Sequence, residues 1–339
     1  MSRERNDTYL LDRTGALLAG RYRVRELIGA GAMGSVWLAE QTALRREVVV
    51  KFHESFRDED GLGMKRFLRE GRALSAVRHR NVVELHEVGH TDEGEPFLIM
   101  ERLRGRTLAD RLNREIRIPA REAFDVAIGL ASGLEAVHAA GILHRDVKPE
   151  NVILHEEEAR GRGQDATTTP RLVDFGLARP VEGGERITTD NRAIGTPGYM
   201  APEQVVGVGR MDGRADVYGL GAVLYEMLSG ELAVDGDSAM QLMVSTAEDD
   251  PIPIEVWCPE LAGPVSQVLM QALARERDAR TPDVRSFRKA LEALRDSLPR
   301  ERPRTAPTLP GFSHAVVRPA REQAITQSDP RRKRLPSEE

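Results

Sequence analysis

A glycine-rich stretch, Gly29-Ala30-Gly31-Ala32-Met33-Gly34, is flanked on both sides by strand-like sequence, and this constrains the fold of the 339-residue chain more than any other feature. Before it, Arg21 to Ile28 alternates polar and apolar residues, as a half-buried strand does. After it, Ser35-Val36-Trp37-Leu38-Ala39 reads as a second strand. The G-x-G-x-x-G spacing has two common settings. A dinucleotide-binding turn opens into a helix, which this sequence does not supply. A strand–loop–strand hairpin instead lays backbone N–H groups over nucleotide phosphates. Taken alone, the motif also fits a plain flexible turn.

Val48-Val49-Val50-Lys51 follows, a buried-looking strand that ends in a lysine. Beyond it Met64, Phe67, Gly71, Leu74 and Val77 fall on one helical face, and Glu70 lies within that apolar arc. A carboxylate placed there is costly without a cation. Lys51 is the candidate partner, and a Lys51–Glu70 pair would aim the lysine at nucleotide phosphates. The alternative has Glu70 snorkelling to solvent. The apolar run Phe97-Leu98-Ile99-Met100 reads as a buried strand, with Glu101-Arg102-Leu103 as a connector.

The second half opens with one long helix from Pro119 to Gly141. The run His144-Arg145-Asp146-Val147-Lys148-Pro149-Glu150-Asn151 comes next, and Asp174-Phe175-Gly176 lies downstream. Together they supply a proton acceptor (Asp146), a cation (Lys148) and two oxygen donors for a hard metal ion (Asn151 and Asp174). These are the groups that phosphoryl transfer from ATP needs, because that reaction depends on positioning and charge more than on covalent chemistry. Val152–Leu154 reads as a short strand, and residues 155–170, polar and aperiodic, as a solvated loop. Leu177 to Met200 carries Thr188, Thr189 and Thr196. It leads into Gly195-Thr196-Pro197-Gly198-Tyr199-Met200-Ala201-Pro202-Glu203. Helical patterning then runs from Asp216 to a last helix ending near Leu298.

Composition excludes some alternatives. A net charge of −5 argues against bulk nucleic-acid binding. The single cysteine, Cys258, reads as a small buried hydrophobe and suits a reducing compartment. His79, His86 and His90 lack the partners of a metal cluster. Val217–Leu228 is too short for a membrane span and reads as a core helix, and residues 1–20 read as a weakly ordered lead-in rather than a signal peptide. A cytoplasmic location is expected. Residues 299–339 hold nine Lys/Arg against five Asp/Glu, with little apolar periodicity, and read as a disordered tail. Within it Arg331-Arg332-Lys333-Arg334 reads first as a solvated end, and could also touch nucleic acid, an acidic partner or the acidic body of the chain itself.

In combination these motifs resemble the eukaryotic-like bacterial Ser/Thr protein kinases, over roughly residues 21–298. The resemblance implies an α+β, bilobal fold: a small antiparallel β-sheet lobe with one helix (about 21–100), a hinge at 101–103, and a larger, mainly helical lobe (about 104–298). It implies that Gly29, Ala30, Gly31, Gly34, Val36, Lys51, Met100, Glu101, Leu103 and Ile153 hold ATP. Met100 would stand beside the adenine, with Leu103 offering its backbone. Lys51 and Glu70 would pair, Asp146 and Lys148 would act at the γ-phosphate, and Asn151 and Asp174 would bind Mg²⁺, with Mn²⁺ as an alternative. Glu203–Arg280 would be a buried ion pair, and Asp216 would brace the catalytic loop. Lys148 and Thr196 match the Ser/Thr rather than the tyrosine subfamily. Arg145 before Asp146 goes, in this family, with control by phosphorylation of the loop, here on Thr188 or Thr189. Protein substrates are implied, and a kinase dimer is compatible. Val49 departs from the more usual alanine, and the 155–170 loop is longer than usual.

Two other functions are open to a chain with these motifs. A catalytically silent scaffold would lack one of Lys51, Asp146, Asn151 or Asp174, and all four are present. A small-molecule kinase would lack the segment from Gly195 to Glu203, which is complete.

Overall fold

Alternate residues of three successive strands bury toward opposite faces of one sheet, and this two-sidedness organises the first lobe. The computed structural model describes residues 12–31, 34–53, 62–157, 168–177, 197–207 and 211–298. The strands are β1 (Leu17–Leu18), β2 (Tyr22–Gly31), β3 (Gly34–Gln41), β4 (Arg46–Phe52), β5 (Leu85–His90) and β6 (Pro96–Glu101). They pair antiparallel in the order β1-β2-β3-β4-β6-β5. Helix α1 (Leu62–Ser75) lies between β4 and β5 in sequence.

On one face, Tyr22, Val24, Trp37, Ala39, Val48, Val50, Phe52, Phe97 and Ile99 form a cluster of their own. On the other, Leu85, Leu98 and Met100 join Phe67 and Leu74 of α1 in the main core, which continues into the second lobe. Strand period two therefore sends Val48, Val50 and Phe52 one way and Val49 and Lys51 the other. Register places Lys51 opposite Leu98 and Val49 opposite Met100. Helix α1 approaches β5 closely at Gly71, where a Cβ would stand 2.8 Å from Val88 Cγ2.

Residues 12–20 are not a loose lead-in. Gly15 N–H donates to Val24 O and Val24 N–H to Ala16 O, both at 2.9 Å, and Leu18 packs on the first-face cluster. The Arg13 guanidinium lies 3.9 Å from the Phe52 ring centroid and pairs with Glu95 at 2.6 Å. The apolar face of the sheet needs a cover, and this segment supplies part of it. Sequence periodicity cannot register a two-residue strand.

The second lobe contains β7 (Gly105–Thr107), α2 (Leu108–Glu115), α3 (Ala120–Ala139), β8 (Val152–Glu156), β9 (Thr168–Leu172) and α4 (Pro202–Val206). These are followed by α5 (Arg214–Ser229), α6 (Ala239–Glu248), α7 (Pro264–Ala272) and α8 (Val284–Arg295). Fifteen consecutive residues of α5, Ala215 to Ser229, are buried, which marks it as the central helix. The flanks of the expected 155–170 loop are strand instead: His155 pairs with Thr169 and Glu156 with Thr168. The span between them, 158–167, lies outside the described residues. Polar, threonine-rich sequence hid this extension, because the paired residues show no apolar alternation even though Thr169 is buried.

Among the described residues, two backbone links join the lobes. One is the connector after β6. The other is a backbone seam in which Val83 N–H donates to Leu172 O and Leu172 N–H to Asn81 O, both at 2.9 Å. Asn81 Nδ2 also donates to Pro170 O at 2.8 Å. Gly133 of α3 permits this approach, since a Cβ there would lie 2.9 Å from Asn81 O. Among the described residues no helix is long and apolar enough to cross a membrane.

Replacing Arg13 with alanine removes both a half-buried ion pair and a cation–π contact. The expected loss of unfolding free energy is about 2 kcal/mol, measured by urea denaturation. A loss below about 0.5 kcal/mol would show that the segment merely rests on the sheet.

Candidate active site

The loop between α3 and β8 turns sharply, and its geometry is held from below by one buried carboxylate. Asp216, in the first turn of α5, is 1 % exposed. Its Oδ2 accepts the His144 N–H at 2.9 Å and its Oδ1 the Arg145 N–H at 2.8 Å, while His138 Nε2 lies 2.6 Å from Oδ2. Burial pushes this carboxyl up, but the hydrogen bond and charge of His138 and the bonds from His144 together bring it below the usual carboxylate range. Arg145 sits at φ +63°, a left-handed conformation that costs a non-glycine residue about 1 kcal/mol or more. Hydrogen bonds to a charged group, worth about 1.5–3 kcal/mol each, offset this.

Asp146 projects from that turn. Its Oδ2 accepts from Asn151 Nδ2 at 2.9 Å and lies 3.4 Å from Lys148 Nζ, and Asn151 Nδ2 also donates to the Asp146 carbonyl at 2.8 Å. The Asn151 amide nitrogen is thus committed to Asp146, which leaves its oxygen for another partner. Asp174, also left-handed at φ +60°, follows β9. His144 ties it to the loop: His144 Nε2 faces Val173 O at 3.0 Å, an atom that only accepts, so Nε2 carries the proton. Burial holds this ring below the ordinary histidine range, which keeps it neutral. The His144 ring also lies 4.5 Å from that of Phe175, and Gly176 N–H donates to His144 O.

Lys51 reaches this centre from β4. Its Nζ lies 2.8 Å from Asp174 Oδ1. No ion pair joins it to Glu70 among the described residues, so the expected Lys51–Glu70 pair is replaced here by Lys51–Asp174. The lysine, only 7 % exposed, needs a carboxylate, and Asp174 meets that need while Glu70 stays half-buried on α1. Protein packed around Asp174 pushes its carboxyl up, but the Lys51 charge and hydrogen bond outweigh this and hold it below its ordinary value. A cavity beneath the pair is lined by Leu74, Leu85, Leu98, Met100 and Phe175.

The expected nucleotide residues lie along the sheet and the connector. Gly29 pairs with Val36, Ala30 with Ser35 and Gly31 with Gly34, so the glycine stretch is the tip of the β2–β3 hairpin and no helix follows it. Val36, Leu103 and Ile153 are half-buried. Glu101 Oε1 accepts the Glu84 N–H at 2.7 Å and lies 3.2 Å from Arg171 Nη1. Neither this Glu101–Arg171 tie nor the His138–Asp216 contact has a signature in the sequence. Glu203 meets Arg280 through two bonds of 2.8 and 2.7 Å, and Arg280 is also 5.1 Å from the Tyr218 ring centroid. Thr188, Thr189, Thr196 and the tail lie outside the described residues.

The protein kinase domain family matches residues 22–303. The chain belongs to that family. It is 36 % identical over 287 residues to the serine/threonine-protein kinase pkn2 of Myxococcus xanthus, covering 83 % of this chain and 33 % of that one. It is 32 % identical over 295 residues to the serine/threonine-protein kinase PknB of Mycobacterium tuberculosis, covering 86 % and 45 %. The chain thus spans between a third and about half of these relatives' length. The crystal structure of the Mycobacterium tuberculosis PknI kinase domain superposes with a TM-score of 0.64 at 26 % identity, over 83 % of this chain and 98 % of that one. The family assignment is therefore the eukaryotic-like bacterial Ser/Thr kinases, with the α+β bilobal fold.

His53, two residues after Lys51, is 5 % exposed, packs on Phe67 at 5.3 Å between centroids, and has Nε2 without a hydrogen-bond partner among the described residues. Burial, then the Lys51 charge, pushes it down from 6.5 to about 4, against an opposing pull from Asp174. Its folded value lies below its unfolded one. Stability is therefore complete above pH 6.5, falls as the unfolded chain alone takes the proton, and levels off below about pH 4. Wild type should lose about 3 kcal/mol more than His53→Gln between pH 7 and pH 4 in urea denaturation. Parallel declines would mean that His53 protonates freely in the folded protein.

Proposed function

We propose that this kinase domain transfers the γ-phosphoryl group of ATP to serine or threonine hydroxyls of proteins, itself included, in a Mg²⁺-dependent reaction. The observation that carries this reading is the Asp146 carboxylate, oriented by the Asn151 amide and the Lys148 ammonium at the foot of the Lys51–Asp174 pair. Asp146 accepts the proton of the attacking hydroxyl as the new O–P bond forms. The bond from the γ-phosphorus to the bridging oxygen breaks, and ADP departs with the electron pair. Lys148 stays beside the transferring group and offsets its charge. Lys51 steadies the remaining phosphates, and the β2–β3 hairpin covers them with backbone N–H groups.

The donor set fits a hard cation: Asp174 gives a carboxylate and Asn151 an amide oxygen whose nitrogen is already engaged. When bound, Mg²⁺ would supply positive charge to the phosphate oxygens. Met100, Glu101 and Leu103 receive the base in this reading. Thr188, Thr189 and Thr196 are the proposed sites of autophosphorylation. The lone cysteine fits action in a reducing cytoplasm.

Purified protein incubated with Mg²⁺ and labelled ATP should incorporate phosphate, and Asp146→Asn should slow this by about 100-fold or more. Mass spectrometry should then find phosphate on Thr188, Thr189 or Thr196 in the wild type only. ATP binding without incorporation in either protein would instead support the scaffold reading. Full activity in a Thr188→Ala/Thr189→Ala variant would remove those two residues from control.

A further inference from the structure

The residue after the Ala201-Pro202-Glu203 run makes a contact that none of the roles above uses. Gln204, half-buried in α4, accepts the Ala201 N–H at Oε1 (3.0 Å) and donates from Nε2 to the Arg145 carbonyl (2.9 Å). The partners fix the amide orientation, since a flipped group would set donor against donor and acceptor against acceptor. We propose that Gln204 is a positioning residue for Asp146, acting through the Arg145 peptide.

The Arg145 carbonyl belongs to the peptide plane that carries the Asp146 N–H. The preceding plane, which carries the Arg145 N–H, is held by Asp216 Oδ1 at 2.8 Å. Between these planes lies the Arg145 Cα, in the left-handed region at φ +63°. Such a conformation persists only where its surroundings over-determine it. Asp216 fixes the plane on one side and Gln204 fixes the plane on the other, so together they set the dihedrals from which Asp146 projects. The first anchor comes from α5 and the second from α4. Catalytic-loop geometry therefore depends on α4 being seated beside the loop.

Only an amide of this length does both jobs. Glutamate accepts from Ala201 but presents a second acceptor to the Arg145 carbonyl, whereas methionine offers neither bond. Asparagine is shorter by one methylene. Nothing in the sequence marks the role, because Arg145 and Gln204 are far apart in the chain and meet only when α4 packs beside the loop.

The inference rests on the reading of the chain as an active phosphotransferase. The experiment therefore runs the full-length wild type, Gln204→Met, Gln204→Glu and Asp146→Asn together. Initial rates with casein as acceptor and varied Mg-ATP are measured beside melting temperatures. Both Gln204 variants should lose about tenfold in kcat, with the KM for ATP within about twofold and the melting temperature close to wild type. Gln204→Glu keeps the Ala201 bond, so wild-type kcat in that variant would reduce Gln204 to a helix cap and overturn the proposal. So would a fall in kcat matched by a rise in the KM for ATP and a lowered melting temperature in both variants. An inactive wild type, no better than Asp146→Asn, would instead bring down the phosphotransferase reading on which the proposal stands.

Discussion

A single buried carboxylate, Asp216, does for the catalytic loop what a hydrophobic core does for a helix. It accepts two consecutive backbone N–H groups and faces an imidazole, and through these bonds it holds a strained turn against solvent-free packing. Its helix is buried along nearly its whole length, so the acid is mounted on the most rigid element of the second lobe. Asp146, Lys148 and Asn151 inherit their placement from that anchor. Without it, the left-handed Arg145 would relax, and the three side chains would share a sequence but not a site.

The other half of the site comes from strand alternation. Lys51 enters the cleft because Val50 and Phe52 are needed on the opposite face, under the cover of Arg13 and Leu18. The outer face of the sheet and the reactive lysine are thus two sides of one pattern. A lysine desolvated in this way requires a carboxylate, and in this structure Asp174 provides it.

Much of this was readable in the residues. Alternation from Arg21 to Ile28 and the valine run before Lys51 gave strands because period two is a local property. The residues from His144 to Asn151 lie within one turn and a short helix, so their proximity to one another follows from spacing alone. What escaped reading depended on pairing and packing that no local pattern encodes. β1 is too short to carry a period, and its register, Leu17 opposite Arg23 and Leu18 opposite Tyr22, comes only from pairing with β2. The strand extensions at His155 and Thr169 are polar, with no apolar alternation to mark them, although Thr169 is buried. The partner of Lys51 is a choice between two carboxylates on different elements, settled by the placement of α1 and not by the identity of either acid. The Glu101–Arg171 tie joins positions 70 residues apart with no motif around them.

The seam between Asn81, Val83 and Leu172 has a mechanical consequence. Backbone bonds attach the segment just past α1 to the larger lobe, so α1 is tethered at its C-terminal end while belonging to the smaller lobe. A rod held at one end sweeps its widest arc at the other. Any rocking of the sheet over the helical lobe is therefore converted into a swing of the Leu62 end of α1. Glu70, partway along, travels less than the tip but more than Leu74 near the tether. The distance between a mid-helix carboxylate and the sheet-borne Lys51 thus becomes a gauge of the angle between the lobes.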